Sequence, residues 1–266
     1  MLPQPMAGHG AILFPVPGMV RLRHWHPAQA VVPPPPGDVD VWTIALDAPA
    51  SGEDFLLGLR PDEVQRACRL RFDVDRQRFV VSRAILRQIL GRYLGVAPLE
   101  LCLCTGPWGK PLLDSAHHGN RLRFNLSHSG ELALVAISAD REVGADLERI
   151  RSVPEAEGIA AHHLSPHERT SLAALPAPRR ARAFLACWTL KEAYLKACGD
   201  GLNRRLDAFD MTVDDTASPR LLEVRDRPGD ERFFRLARLE LGKDYLAALA
   251  VENRSSTPAP STHRDI

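Results

Sequence analysis

The sequence predicts an α+β fold made of two similar halves, and three observations lead there. The order strand, helices, β-hairpin is legible twice between residues 38 and 252. The chain has 266 residues, room for two units of about 100–130 residues that each bury a core. Its 45% hydrophobic and 25% charged content is that of an ordinary soluble domain.

Each element has its own signal. Residues 1–37 are rich in proline and end in Pro33–Pro36, so this extension is expected to lack regular structure. Asp38–Asp47 is a strand candidate. Pro61–Leu94 is helical, with Phe79, Ile85, Leu86, Ile89, Leu90 and Tyr93 at near-helical spacing. Arg121–Leu126 and Glu131–Ser138 form a hairpin about His128–Gly130, closing a first half at 38–138. The second half, 139–252, opens with a strand at Val143–Glu148. A long helix follows from about Arg179 to Cys198 and is stopped by Gly199. Phe233–Glu240 and Tyr245–Val251 make the second hairpin. Residues 253–266, rich in Ser, Thr, Pro and charge, read as a disordered tail.

Composition narrows the function classes. A net charge of +1 gives no global field for nucleic acid or an anionic membrane, so any anion site must be local. No apolar run reaches the ~18 residues of a membrane span. The apolar stretch Ala11–Val20 is interrupted by Pro15 and Pro17 and does not read as a signal peptide. Five cysteines without a C-x-x-C point to a reducing, cytoplasmic setting.

Four motifs carry chemistry. In Val143-Gly-Ala-Asp-Leu-Glu148, alternation puts Asp146 and Glu148 on one strand face. Two carboxylates there repel unless a cation sits between them, and Mg²⁺ with phosphate oxygens suits such a pair. A solvated acidic strand face is the plainer account of D-x-E alone. In Trp188-Thr-Leu-Lys-Glu-Ala-Tyr-Leu-Lys196, Glu192 and Lys196 are an i,i+4 pair on the stripe of Trp188. Packed against the D-x-E strand, Glu192 becomes a third carboxylate, and Lys191 and Lys196 flank the phosphates. Phe124-Asn-Leu-Ser-His-Ser-Gly130 places Ser127 and His128 near a turn. It lacks a G-x-S-x-G elbow, and a phosphate contact fits better than a hydrolase triad. Trp108-Gly-Lys-Pro111 is not a P-loop, because Cys104 stands five residues before Gly109 and Pro111 replaces Ser/Thr. A basic cluster of Arg66, Arg69, Arg71, Arg76, Arg78 and Arg83 offers a subset to grip phosphate. His162, His163 and His167 invite zinc, but Pro166 discourages one continuous helix through them.

In this order, GKP at 109–111, FNLSHSG at 124–130, VGADLE at 143–148 and WTLKEAYLKACGDGL at 188–202 resemble the 4′-phosphopantetheinyl transferases of the surfactin-synthetase-activating type. The resemblance spans Asp38 to Glu252. It implies a pseudo-dimer of two α+β halves within one monomeric chain, with the active site at their interface. Asp146, Glu148 and Glu192 would hold Mg²⁺ against the pyrophosphate of coenzyme A. Ser127 and His128 would contact the nucleotide phosphates, with Arg78, Arg66 and Arg69 at the 3′-phosphate. Gly109, Lys110 and Pro111 would border the adenine. Lys191 and Lys196 would face the pyrophosphate, Lys196 assisting the leaving group, and Glu168 would lie near the metal. The general base would be Glu192, with Glu148 or Glu168 as alternatives. The acceptor would be a serine of an apo acyl or peptidyl carrier protein. Two rival readings are another Mg²⁺-dependent transferase acting on a nucleotide pyrophosphate and a non-catalytic module binding coenzyme A or carriers.

Overall fold

The structure is a computed structural model that describes residues 16, 18–27, 31–47, 55–106, 108–119, 121–150, 162–201 and 204–253. The expected tail therefore lies outside the described residues, except Asn253. The first half runs β2 (Val39–Ala45), α1 (Pro61–Cys68), α2 (Asp73–Leu94), β3 (Leu103–Thr105), β4 (Pro111–Leu113), α3 (Ser115–His118), β5 (Arg123–Ser129) and β6 (Leu132–Ser138). The second runs β7 (Val143–Arg149), α4 (Pro166–Ala174), α5 (Ala177–Cys198), β8 (Phe209–Met211), β9 (Leu221–Val224), α6 (Asp230–Phe233), β10 (Phe234–Leu239) and β11 (Tyr245–Glu252). The duplication thus holds element for element. Both long helices have 22 residues, and each ends where a left-handed glycine, Gly95 (φ 70°) or Gly199 (φ 77°), turns the chain out.

Pairing repeats too. β2–β6–β5 and β7–β11–β10 are antiparallel sheets with the same neighbour order. Alternation gives every strand two faces. Val39 and Val41 of β2 and Leu134 and Ala136 of β6 meet Val143, Ala145, Leu147, Leu249 and Val251 in a core shared by the two halves. The opposite faces are covered by the helices. Ile85, Leu86, Ile89 and Tyr93 of α2 pack on Trp42, Ile44 and Val135. Phe184, Cys187, Leu190 and Tyr194 of α5 pack with Phe209, Ala248 and Ala250. The order is helix, sheet, sheet, helix, and the halves meet sheet to sheet.

Part of the proline-rich extension departs from expectation. Val20–His24 forms β1, parallel to β2 on its outer edge. The reason is a proline-free window, Gly18–His26, whose backbone N–H groups are all available to pair. The strand also supplies countercharge: the Nε atoms of Arg21 and Arg23 lie 2.6 and 3.2 Å from the carboxylate of Asp40, which is fully buried. Tyr93 donates its hydroxyl to the same carboxylate and accepts from Trp42 Nε1 at 2.9 Å.

Candidate active site

The site forms where the halves touch. β5 runs beside β7 without a backbone ladder, and side chains bridge the gap instead. Ala145 N donates to Asn125 Oδ1 (2.8 Å), Ser127 Oγ to Asp146 Oδ1 (3.0 Å) and Ser129 Oγ to Glu148 Oε2 (3.0 Å). Behind β7, α5 crosses at Gly144, where a Cβ would meet Ala193 O at 2.0 Å and Ala197 N at 2.3 Å. That glycine lets the helix close on the strand and sets Glu192 and Lys196 over the acidic face. Lys196 Nζ donates to Asp146 Oδ1 (2.5 Å) and Ser127 Oγ (3.0 Å). Sequence alternation had placed Asp146 and Glu148 together; packing adds Glu192.

These groups line a cavity of about 670 Å³ with Leu126, His128, Leu147, His163, Trp188, Arg204 and Leu206. Two of its oxygens, Asp146 Oδ2 and Glu192 Oε1, are buried and have no hydrogen-bond partner among the described residues. Orphaned carboxylate oxygens in one cavity fit a bound cation. Burial pushes the Glu192 carboxyl up to about 7, against the opposing pull of Lys196 and with Asp146 and Glu148 repelling its charge. Among the described residues, no three His, Cys, Asp or Glu side chains form a ready-made metal cage. Mg²⁺ does not need one, because it takes one or two protein carboxylates and fills the remainder with phosphate and water.

His128 belongs to β5 rather than to the turn. Desolvation by the cavity wall, then the charges of Lys196 and Arg83, hold its imidazole below the ordinary value. Arg83 is thus a member of the sequence-predicted basic cluster whose charge reaches His128, and both it and Arg66 stack on Phe79 at 5.6 Å. Arg78, whose charge also acts on His128, holds the exposed Asp47 with its Nε and Nη2 at 2.9 and 2.8 Å. Arg69 is exposed at the end of α1 and does not line the cavity.

Gly109, Lys110 and Pro111 also stand outside this cavity. Lys110 lines a neighbouring one of about 310 Å³ and lies 3.5 Å from Glu142. The loop nevertheless reaches the second half, since Trp108 packs against Gly201 just beyond α5.

Lys191 and Glu168 are the clearest corrections. Neither faces the cavity; both are fully buried and paired with each other at 2.8 Å. Lys191 Nζ also donates to Leu206 O (2.7 Å) and Phe209 O (2.6 Å). Glu168 accepts from Met211 N (2.7 Å) and, in the capping box of α4, from Ser165 N (2.9 Å). The first half repeats this arrangement. Arg87 of α2 holds Glu63 of α1 at 2.6 Å and donates to Pro98 O and Leu101 O, each at 3.0 Å. Arg87 and Lys191 each lie eight residues before the glycine that ends their helix. The first half has Trp42 and Ile44 on the β2 face that corresponds to Asp146 and Glu148. A cation–glutamate clamp kept in that half is a fold device, so Lys191 is a strut rather than a phosphate contact.

His162, His163 and His167, whose reading as a zinc site Pro166 argued against, form no metal-holding group among the described residues. His163 packs edge-on against Trp188, with ring centroids 5.6 Å apart. Sequence reasoning named His163 and Trp188 without placing either at the cavity, and it missed Arg204. That arginine gave no signal because its setting comes from Asp226, Asp200 and Tyr194 at distant or weakly patterned positions.

Comparison with known proteins agrees with this architecture. The description "4′-phosphopantetheinyl transferase, N-terminal" matches residues 51–140, and "4′-phosphopantetheinyl transferase superfamily" matches residues 142–250. The 4′-phosphopantetheinyl transferase HetI of Nostoc sp. is 40% identical over 185 residues, 69% of this chain and 78% of that protein. A phosphopantetheinyl transferase of Thraustochytrium sp. is 30% identical over 84% of this chain and 81% of its own. The 4′-phosphopantetheinyl transferase Sfp of Bacillus subtilis is 25% identical over 65% and 76%. The chain belongs to the 4′-phosphopantetheinyl transferase superfamily.

Proposed function

We propose that the protein transfers the 4′-phosphopantetheine arm of coenzyme A to a serine of an apo acyl or peptidyl carrier protein, releasing adenosine 3′,5′-bisphosphate in a Mg²⁺-dependent reaction. One observation carries this reading: the seam cavity brings together Asp146 and Glu192, each with an orphaned oxygen, with Lys196 and Ser127. A pyrophosphate entering there meets the Lys196 ammonium and the Ser127 hydroxyl beside the acids that would carry the metal.

Asp146, Glu148 and Glu192 would hold the metal, which supplies Lewis-acid charge against the developing negative charge on the phosphate oxygens. Ser129 steadies Glu148 from the neighbouring strand. Lys196, now paired with Asp146, is placed to donate to the pyrophosphate and to stabilise the leaving oxygen. His128, close to Arg83, marks the 3′-phosphate end, where a charge-assisted contact contributes about 1.5–3 kcal/mol. Because both halves lie in one chain, the site is complete in a monomer. A cytoplasmic setting is supported by five free cysteines. No helix among the described residues is long and apolar enough to cross a membrane.

The test is mass spectrometry of an apo carrier protein incubated with this protein, coenzyme A and Mg²⁺. Carrier gaining the mass of one phosphopantetheine supports the reading; unmodified carrier across several acyl and peptidyl carriers sinks it.

A further inference from the structure

A separate cavity, of about 260 Å³, opens on a different face of α5 from the seam stripe, between that helix and the turn that joins β10 to β11. Asp146, Glu148, Glu192 and Lys196 take no part in it. Its distinctive member is Arg238 of β10, which is only 5% exposed. Three arginines are buried among the described residues, and two of them hold carboxylates: Arg87 pairs with Glu63, and Arg204 with Asp226 and Asp200. Arg238 makes no ion pair with any described residue. Its Nη1 donates to Ala217 O (2.5 Å) and its Nη2 to Asp214 O (3.1 Å), while its buried Nε has no partner. Burial pulls this guanidinium below its ordinary value, against the opposing charges of Asp215, Cys187 and Asp214.

The surroundings leave one positive charge in excess. Asp215 also lines the cavity, but its two oxygens are taken by Arg179 (2.6 Å) and Arg182 (3.2 Å), and Arg179 holds Asp214 as well (2.7 Å). Arg179, Arg182 and Arg238 therefore stand against two carboxylates, with Glu240 exposed at the rim. A buried charge without a counter-ion is costly, and a monoanion in the cavity would offset it. The other walls are apolar: Ala186 of α5, Leu239 of β10, and Leu246 and Ala247 of β11. The volume falls below the roughly 300 Å³ at which pockets for drug-sized ligands begin, so the ligand is small.

We propose that this cavity binds a small organic monocarboxylate, with the carboxylate on Arg238 and Arg182 and the alkyl body against Leu239 and Leu246. A planar guanidinium matches a carboxylate in shape and charge. Inorganic phosphate fits less well, because the apolar walls would leave its remaining oxygens without donors. Neither the charge excess nor the cavity depends on the transferase reading.

The probe is butyrate, titrated into the whole chain in metal-free buffer against equal sodium chloride, with calorimetry and thermal melts as readouts. One butyrate should bind per chain, and at ten times its Kd the melting midpoint should rise by about 3–6 °C. Butyramide, of the same shape but uncharged, should give no shift. Arg238→Met should abolish the butyrate shift and Lys196→Met should keep it, which separates this cavity from the seam. If Arg238→Met does not fold, Arg182→Gln at an exposed position reads the same contact, with butyrate binding at least about ten-fold weaker. The proposal is overturned by a wild-type chain with no saturable butyrate shift, by an equal shift with butyramide, or by a shift that survives in Arg238→Met or, where that variant does not fold, by undiminished binding in Arg182→Gln. Saturable binding of inorganic phosphate without butyrate would overturn the carboxylate class.

Discussion

Replacing Lys191 with methionine separates a structural lysine from a substrate-binding one. The ammonium is fully buried, makes three polar contacts, to Glu168, Leu206 O and Phe209 O, and lies over the Phe209 ring. Methionine roughly fills the volume but leaves Glu168 with its charge held only by neighbouring donors. Breaking a buried ion pair from one side costs about 3–5 kcal/mol. In a chain of this size each kcal/mol shifts the midpoint by about 2–4 °C, so a fall of roughly 6–20 °C is expected. Below that midpoint, KM for coenzyme A should change less than about two-fold, since the side chain lies outside the cavity. Arg87→Met, in the duplicated clamp, should cost a similar amount. Lys191→Met with Glu168→Gln should recover much of the loss, because a buried pair is often replaceable as a unit. Calorimetry and steady-state kinetics on the same preparations decide it. A wild-type midpoint together with a large rise in KM for coenzyme A would refute the clamp and return Lys191 to the phosphates.

Asp146→Asn and Glu192→Gln should each abolish carrier loading with the circular dichroism spectrum intact; near-normal rates in saturating Mg²⁺ would remove the metal assignment. Glu192, raised to about 7, favours the fold while protonated, so metal-free stability should fall as pH rises through about 7. Glu192→Gln should flatten that slope in melts taken with a chelator, and an equally steep slope would show that another group titrates. His128→Ala and Arg83→Ala should raise KM for coenzyme A about ten-fold or more while sparing 3′-dephospho-coenzyme A. Equal losses on both substrates would move these residues off the 3′-phosphate. Deleting residues 1–26 should lower the midpoint by roughly 5 °C or more, the shift expected from about 2 kcal/mol, because β1 pairs with β2 and its arginines neutralise Asp40. An unchanged melt would show that the strand contributes nothing.

Periodicity made most of the architecture legible. The apolar stripe ending at Gly95 and its counterpart ending at Gly199 placed helix over Pro61–Leu94 and from about Arg179 to Cys198, and two alternating strand pairs gave the hairpins. The break that divides the first region into Pro61–Cys68 and Asp73–Leu94, and the start of the last helix at Ala177, came only with the structure. β1 escaped because a parallel edge pairing is non-local, and the prolines on either side masked the proline-free window between them. Arg78 looked free in the sequence because nothing local shows that Asp47, 31 residues away, holds it.

The sequence by itself determined the duplicated α+β order, the placing of Asp146 and Glu148 on one strand face, and the sharing of a helix stripe by Trp188, Glu192 and Lys196. Each of these follows from a short-range period, two residues in a strand or about 3.6 in a helix. Only the tertiary structure decided which charged side chains work in the cavity. Lys191 and Glu192 are adjacent in sequence, yet about 100° of helical rotation sends one into a buried clamp and the other to the seam. Burial, long-range ion pairs and the crossing of α5 at Gly144 make that choice, and none of them is written in a local pattern.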